Sequence, residues 1–439
     1  MVGPASVLFF GIPKFPSRNH WLSIIRLLCP ILAVATLPSP PAAAALPNIV
    51  LIVADDLGYG EVGIHHQGDI STPNIDAIGR AGVTFSDGYV TAPVCVPSRF
   101  GLMTGRYPQE LGIHDNPPRP VPANFGMPAK EITLAEALRA RGYATGLIGK
   151  WDLGYDPPHY PQLHGFDEFF GVLNAGHPYF GEQPGNPIMR GTTVVPASGY
   201  LTDTLATEAV KFIRRHAGSP FFLDASFTAT HTPLQAKPAV LARLSYIADP
   251  KRRLFAGVLV SLDEAVGRIS AALRSTGVSG NTMVVFLGDN GCNSCRNKPL
   301  RGGKRDLYEG GIRVPMMLSW PGRVARSSVY ARPVMSFDLF VTMLRAGGGR
   351  PAAVVDGVDL LPFLQGATGD PHEALFWTSI DHTFGAIRQG RWKLVDGQLY
   401  DLQTDIGERR DLATTKPTLA ADLAHALALW RDSLPPPAW

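Results

Sequence analysis

Hydrophobic positions along the chain fall into two recurring patterns. Asn48-Ile-Val-Leu-Ile-Val-Ala54 is a continuous apolar run, short for a helix and rich in β-branched residues. It reads as a parallel strand buried on both faces. Residues 282–287 repeat the pattern and end in Gly288-Asp289-Asn290-Gly291. Between the two runs, helical periodicity over residues 133–141 and 252–275 alternates with short strands at 144–148 and 221–225. That alternation predicts an α/β fold: a large, mostly parallel sheet sandwiched by helices.

The pattern changes after Leu344. Gly347-Gly348-Gly349 and Pro351 loosen the chain, and residues 356–364 look like a short docking segment. From Leu375 onward short strands alternate, with turns expected at Gly385, Gly390 and Gly397. A last amphipathic helix spans about 418–434 and is stopped by Pro435, Pro436 and Pro437. The expected organisation is a catalytic α/β domain over 46–345 and a C-terminal subdomain over 346–439, a small antiparallel sheet plus one helix.

Residues 1–45 read as an address. Lys14, Arg18 and Arg26 precede a short apolar run over 27–37, and Pro38-Ser-Pro-Pro41 then leads to Ala42 through Ala45. This is the order of a secretory signal peptide. The run is short, and broken by Pro30, for a membrane span. The expectation is an exported protein, periplasmic or secreted, with no stable span in the mature chain.

Composition changes this picture little. Apolar residues make up 45% and charged residues 18%, and the net charge is +3. That near-neutral total gives no footprint for nucleic acid, so any charge-based function is local. With the leader removed, Cys95, Cys292 and Cys295 remain, too few for a disulfide scaffold. Cys292-x-x-Cys295 has too few ligands for zinc alone. It lacks the setting of a redox motif, which leaves a local disulfide or two idle thiols.

Asp55-Asp56 closes one buried run and Asp289-Asn290 closes the other. Strand ends of a doubly wound sheet are where ligands bind. If the two edges meet, they form an oxygen cage suited to calcium, with magnesium second, rather than to a soft metal. Either pair alone is more often a loop start or helix cap; together, on matching strand ends, they favour the metal.

Cys95-Val96-Pro97-Ser98-Arg99, continued by Leu102-Met103-Thr104-Gly105-Arg106, could be a turn entering a helix. Taken with the acids, it resembles the signature of the type I sulfatases, the formylglycine-dependent, arylsulfatase-like family of the alkaline phosphatase superfamily. The Cys-x-Pro-x-Arg core is intact; Val96 is bulkier than the small residue common there. Further segments resemble the same family in order: Gly142-Tyr143-Ala-Thr145 with Gly149-Lys150-Trp151, Thr230-His231-Thr-Pro233, residues 263–291, Gly302-Gly303-Lys304 with Tyr308-Glu309-Gly310-Gly311, and Gly390-Arg391-Trp392-Lys393-Leu394 with Leu399-Tyr400-Asp401-Leu402.

The resemblance implies hydrolysis of aryl or carbohydrate sulfate esters. Cys95 would be oxidised to formylglycine by a formylglycine-generating enzyme or equivalent maturase. The hydrated aldehyde attacks sulfur with one hydroxyl and expels sulfate with the other. Asp55, Asp56, Cys95, Asp289 and Asn290 would bind calcium. Arg99 would steady the nucleophile, Lys150 and Lys304 hold sulfate oxygens, and His231 protonate the leaving alcohol. These roles meet the need for fixed cations around sulfur and a donor at the leaving group.

One position departs from the pattern: where the family has histidine two residues after this lysine, the chain has Asp152. A carboxylate could accept the same proton but is a weaker base near neutrality. Calcium and three side-chain cations against four aspartates still leave a net positive site. Two other readings share the fold: a phosphate or phosphonate monoester hydrolase, and a weakly active or inactive binder of sulfated ligands. Loops at 115–122 and around His177-Pro-Tyr179 are candidates to shape the pocket.

Overall fold

Asn48–Ala54 forms a central strand of the large sheet. Its alternate residues face opposite ways: Val50, Ile52 and Ala54 enter one core cluster, Ile49, Leu51 and Val53 the other. Burial of each such Val, Leu or Ile contributes roughly 1.5–3 kcal/mol, and both faces being dry explains the unbroken apolar run. The computed structural model describes residues 45–65, 68–123, 125–380 and 383–439. The expected leader therefore lies, apart from Ala45, outside the described residues.

The large sheet has ten strands among the described residues. In spatial order they are Ser328–Tyr330, Val83–Phe85, Met316–Ser319, Thr282–Gly288, Asn48–Ala54, Phe221–Ser226, Ala144–Lys150, Glu168–Val172, Met189–Arg190 and Thr193–Val194. The five from Thr282–Gly288 to Glu168–Val172 are parallel, and antiparallel neighbours flank them. Pro73–Ala81, Leu201–His216 and Pro250–Ser275 supply helical residues to one core cluster, and Cys95–Thr104, Leu134–Arg139 and Ser336–Ala346 to the other. This is the expected mixed, mostly parallel α/β architecture.

Local chemistry sets the helix starts. Thr133 and Glu136 form a reciprocal capping box ahead of Leu134–Arg139. Asp249 accepts from Lys251 N at 3.0 Å, with Pro250 as first helical residue of Pro250–Ser275. The 356–364 segment docks as expected: Tyr107 N donates to Asp356 Oδ2 at 2.7 Å, and Val358 N to Asp338 Oδ1 at 2.9 Å.

Leu375–Thr378, Gly385–Gln389, Trp392–Val395 and Gln398–Asp401 pair antiparallel in sequence order. Leu423 and Leu427 of helix Pro417–Asp432 share a cluster with Ile387, Leu394 and Leu399 of that sheet. Gly390 and Gly397 turn as expected, at φ +56° and +71°. Gly385 does not: it is the first residue of a strand and pairs with Thr378. No helix among the described residues is long and apolar enough to cross a membrane.

Candidate active site

Parallel register brings the acids together. Ala54 lies opposite Gly288, so the next residues of both strands, Asp55 and Asp289, emerge at the same edge. Asp289 N donates to Ala54 O at 2.9 Å, and Asp56 N to Asp289 Oδ1 at 3.0 Å. Asn290 Nδ2 donates to Asp56 Oδ1 at 2.7 Å. Asp56 holds a left-handed φ of +59°, a conformation costing most L-residues about 1–2 kcal/mol and least disfavoured for Asp and Asn.

Cys95 opens the Cys95–Thr104 helix and is fully buried. Its Sγ lies 3.5 Å from Asp55 Oδ1, 3.9 Å from Asp56 Oδ1 and 3.3 Å from Lys304 Nζ. Asn116 Oδ1 accepts from Val96 N at 3.0 Å, satisfying one donor of the helix start. Burial pushes the Cys95 thiol well above its usual range, only partly opposed by Lys150. As a thiol it is therefore protonated and a poor nucleophile.

One helical turn later, Arg99 Nε donates to Asp289 Oδ2 at 2.9 Å and Nη1 to Ser226 Oγ at 2.5 Å. Lys150 Nζ contacts Asp55 Oδ2 at 3.0 Å and Asp152 Oδ2 at 2.9 Å. Lys304 Nζ donates to both oxygens of Asp56, at 2.7 and 2.9 Å. His231 Nε2 sits 3.7 Å from Asp56 Oδ2. Burial alone would raise Asp55, but Lys150, His231, Arg99 and Lys304 outweigh it and hold the carboxyl well below its ordinary range. Asp289 moves the other way, to about 6, through burial and then the charge of Asp55.

All the residues expected at the site come together here. Asp152 is among them, at φ +62° and buried, and its Oδ1 accepts from Tyr155 Oη at 2.9 Å. Burial and then Asp152 push the Tyr155 phenol up, keeping it a donor. His177 Nδ1 bonds Pro178 O at 2.7 Å, and the residue lines a cavity of 390 Å³ with Glu182, Pro184 and Ile188. The sequence reading missed Ser226 and Tyr155. Ser226 ends a strand at the same edge as Asp55, which was its one available signal; Tyr155 had none.

The oxygens of Asp55, Asp56 and Asn290 suit a hard cation. Ligand atoms of Asp55, Asp56, Cys95 and His231 lie within 4.8 Å of one another. Asn290 Oδ1 is buried with no hydrogen-bond partner, an acceptor that a cation would satisfy.

Loops beyond the strand ends carry support. Cys292 and Cys295 form a disulfide. Asn297 Nδ2 donates to Cys292 O at 2.7 Å and to Gly302 O at 3.0 Å, tying the Asp289 loop to the Lys304 loop. The far end of the Lys304 loop is fixed by Glu309, whose Oε1 lies 2.9 Å from Lys393 Nζ. Lys393 also contacts Glu408 Oε1 at 2.8 Å, and none of the three side chains is exposed.

Buried acids, three cations and a buried sulfur meet at one edge of a mixed α/β sheet, a charge arrangement suited to holding a cation and an anionic group. The comparisons narrow the class. A family model described as Sulfatase matches residues 47–349, and one described as N-sulphoglucosamine sulphohydrolase, C-terminal, matches 303–429. Arylsulfatase A of Bos taurus is 36% identical over 395 residues, covering 80% of this chain and 75% of the relative. N-acetylgalactosamine-6-sulfatase of Sus scrofa is 33% identical over 423 residues, covering 85% and 78%. The crystal structure of Ps i-CgsB in complex with k-i-k-neocarrahexaose has a TM-score of 0.84 at 35% identity, covering 90% of this chain and 94% of that one. The chain belongs to the sulfatase family and is a sulfuric ester hydrolase.

Proposed function

We propose that the chain hydrolyses sulfate monoesters through a formylglycine made from Cys95 by a maturase, with calcium held by Asp55, Asp56, Asp289 and Asn290. The observation that carries this reading is Cys95 itself, buried between Lys304 and Asp55 at the start of a helix that also bears Arg99. A thiol so placed is a poor nucleophile, whereas a hydrated aldehyde at the same carbon offers hydroxyls to attack sulfur. Calcium would supply positive charge against a sulfate oxygen.

The chain's own groups do the rest. Lys150 and Lys304 bind sulfate oxygens, exchanging part of their contact with Asp55 and Asp56. Arg99, braced by Asp289 and Ser226, orients the nucleophile. His231 donates the proton to the leaving alcohol. Asp152, held by Lys150 and Tyr155, takes the proton in sulfate release and keeps Lys150 charged. Residues 46–345 form the catalytic part and 346–439 the supporting subdomain. The expected leader over residues 1–45 supports export to a periplasmic or extracellular space.

Sulfated carbohydrate is the favoured substrate class. One similar solved structure carries a neocarrahexaose and one relative is named for N-acetylgalactosamine 6-sulfate. The test is turnover of paired aryl sulfate and aryl phosphate esters, followed by a screen of sulfated oligosaccharides, on protein of measured formylglycine content. Hydrolysis of sulfate well ahead of phosphate is expected; the reverse preference would make the chain a phosphate or phosphonate hydrolase.

A further inference from the structure

Arg119 differs from the cations described above. Arg99, Lys150 and Lys304 are enclosed and paired with carboxylates. Arg119 is exposed and donates at 3.4 Å to the side-chain oxygen of Asn174, a long and weak bond to a neutral group. Among the described residues, no carboxylate lies within ion-pair distance of its guanidinium. Arg305, also exposed, is neutralised by Asp115 at 3.0 Å.

Its place in the fold relates it to the site. The 115–122 segment is fastened beside Cys95 by Asn116, which accepts from Val96 N. Asp152 N donates to Leu173 O at 3.0 Å, so Asn174, the next residue, holds the Arg119 guanidinium beside the Asp152 turn. Tyr155 bonds Asp152, and Asp152 contacts Lys150. Hydrogen bonds and sequence neighbours thus lead from buried Lys150, through Asp152 and Leu173-Asn174, to exposed Arg119. Asn174 is itself fixed: Asn186 Oδ1 accepts Asn174 N at 3.2 Å, Asn186 Nδ2 donates to Asn174 O at 2.9 Å, and Asn174 Oδ1 also accepts Ala175 N at 2.7 Å. A rigid neutral acceptor steers the guanidinium without cancelling its charge, and the planar fork is left free to grip a two-oxygen anion.

We propose that Arg119, steered by Asn174, binds a second anionic group of the substrate, a sulfate or a carboxylate, so that the preferred substrate is a polyanionic glycan. This rests on the sulfate-ester reading and extends it to substrate class. Arg119 is then a specificity determinant, acting on binding and not on the chemistry at sulfur.

The experiment compares wild type with Arg119→Gln by inhibition of aryl sulfate turnover. Three inhibitors are used: inorganic sulfate, a disulfated disaccharide, and a disaccharide with one sulfate and one uronate carboxylate. Inorganic sulfate reads the floor alone. The variant is expected to weaken one or both disaccharides about fivefold at low salt, the size of an exposed ion pair, with the difference shrinking at high salt. Inorganic sulfate should shift less than twofold. Loss confined to the disulfated probe assigns the subsite to sulfate; loss of both assigns it to anions generally. Equal weakening of all three, or no change in any, would overturn the proposal. Should no aryl sulfate be turned over, the sulfate-ester reading fails, and the same ratios measured by calorimetric binding still decide the subsite.

Discussion

Lys150 Nζ lies 2.9 Å from Asp152 Oδ2 and 3.0 Å from Asp55 Oδ2, so one buried ammonium joins the strand-end acid to the residue that breaks the family pattern. Burial would lower the ammonium's pKa, but Asp152 and then Asp55 outweigh it and hold Lys150 charged. Asp152 is therefore a counterion, and the proposed mechanism makes it a proton acceptor as well. The two roles pull apart when its charge is removed.

Asp152→Asn should lower kcat by tenfold or more, within the range for a lost general base, while KM stays level or falls because Lys150 is freed for sulfate. Steady-state kinetics on one aryl sulfate, normalised for formylglycine content, checks both. An unchanged kcat would remove Asp152 from the proton transfer.

Asp152→His, which restores the family residue, should raise steady-state turnover and move the acid limb of the pH profile upward. The left-handed φ of residue 152 is one that histidine also enters. A weak base in the parent protein slows release more than attack, so a rapid-quench burst is expected there and should shrink in the variant. Superimposable profiles and no burst in either protein would exclude residue 152 as the elimination base.

Lys393 sits between Glu309 and Glu408 with no exposure. Lys393→Met strands two buried carboxylates and should cost about 3–5 kcal/mol, read from the urea midpoint. The Lys304 loop is pinned through Glu309, so kcat should fall as well at temperatures where the variant remains folded. A stability change below about 1 kcal/mol would show that the network contributes little.

Asp224, on the same strand and face as Ser226, is buried with one oxygen lacking a hydrogen-bond partner. Burial pushes its carboxyl up to about 7, Arg99 opposing only in part. The folded chain keeps a proton that an unfolded aspartate releases near pH 4. Its contribution is full below that pH and is lost as pH rises through about 7. Relative to Asp224→Asn, which stays neutral throughout, wild-type stability should fall by on the order of 4 kcal/mol across this window. Parallel stability curves would contradict the assignment.

Much of this was legible in the sequence because it was local. The 48–54 run, with both faces buried, became the strand bounded as expected, and its terminal acids reached the site because parallel strands end at one edge. The Cys95 segment, Lys150, His231 and Lys304 were recognisable from their neighbours. Contacts across long separations were not: Ser226 meets Arg99 across 127 positions, and Lys393 meets Glu309 across 84. Asp224 interrupts the apolar run of the Phe221–Ser226 strand and announced nothing of its burial. Gly385 was read as a turn from residue type alone, whereas strand pairing with Thr378 decided it.

Exhaustive chelation should abolish turnover, and calcium should restore it better than zinc, because the side chains assigned to the metal present oxygen donors. Full activity with metal analysis showing an empty protein would remove the ion from the account.

The central claim is that the nucleophile derives from Cys95. The direct measurement is mass spectrometry of the peptide containing residue 95, paired with aryl sulfate turnover on the same preparations, from cells with and without a formylglycine-generating enzyme and for Cys95→Ala. Turnover should rise in proportion to the fraction of chains carrying the aldehyde, and should be absent in Cys95→Ala, a variant expected to fold and to bind calcium as the wild type does. Substantial sulfatase activity in Cys95→Ala, or in wild-type protein whose residue 95 is entirely cysteine, would contradict the account.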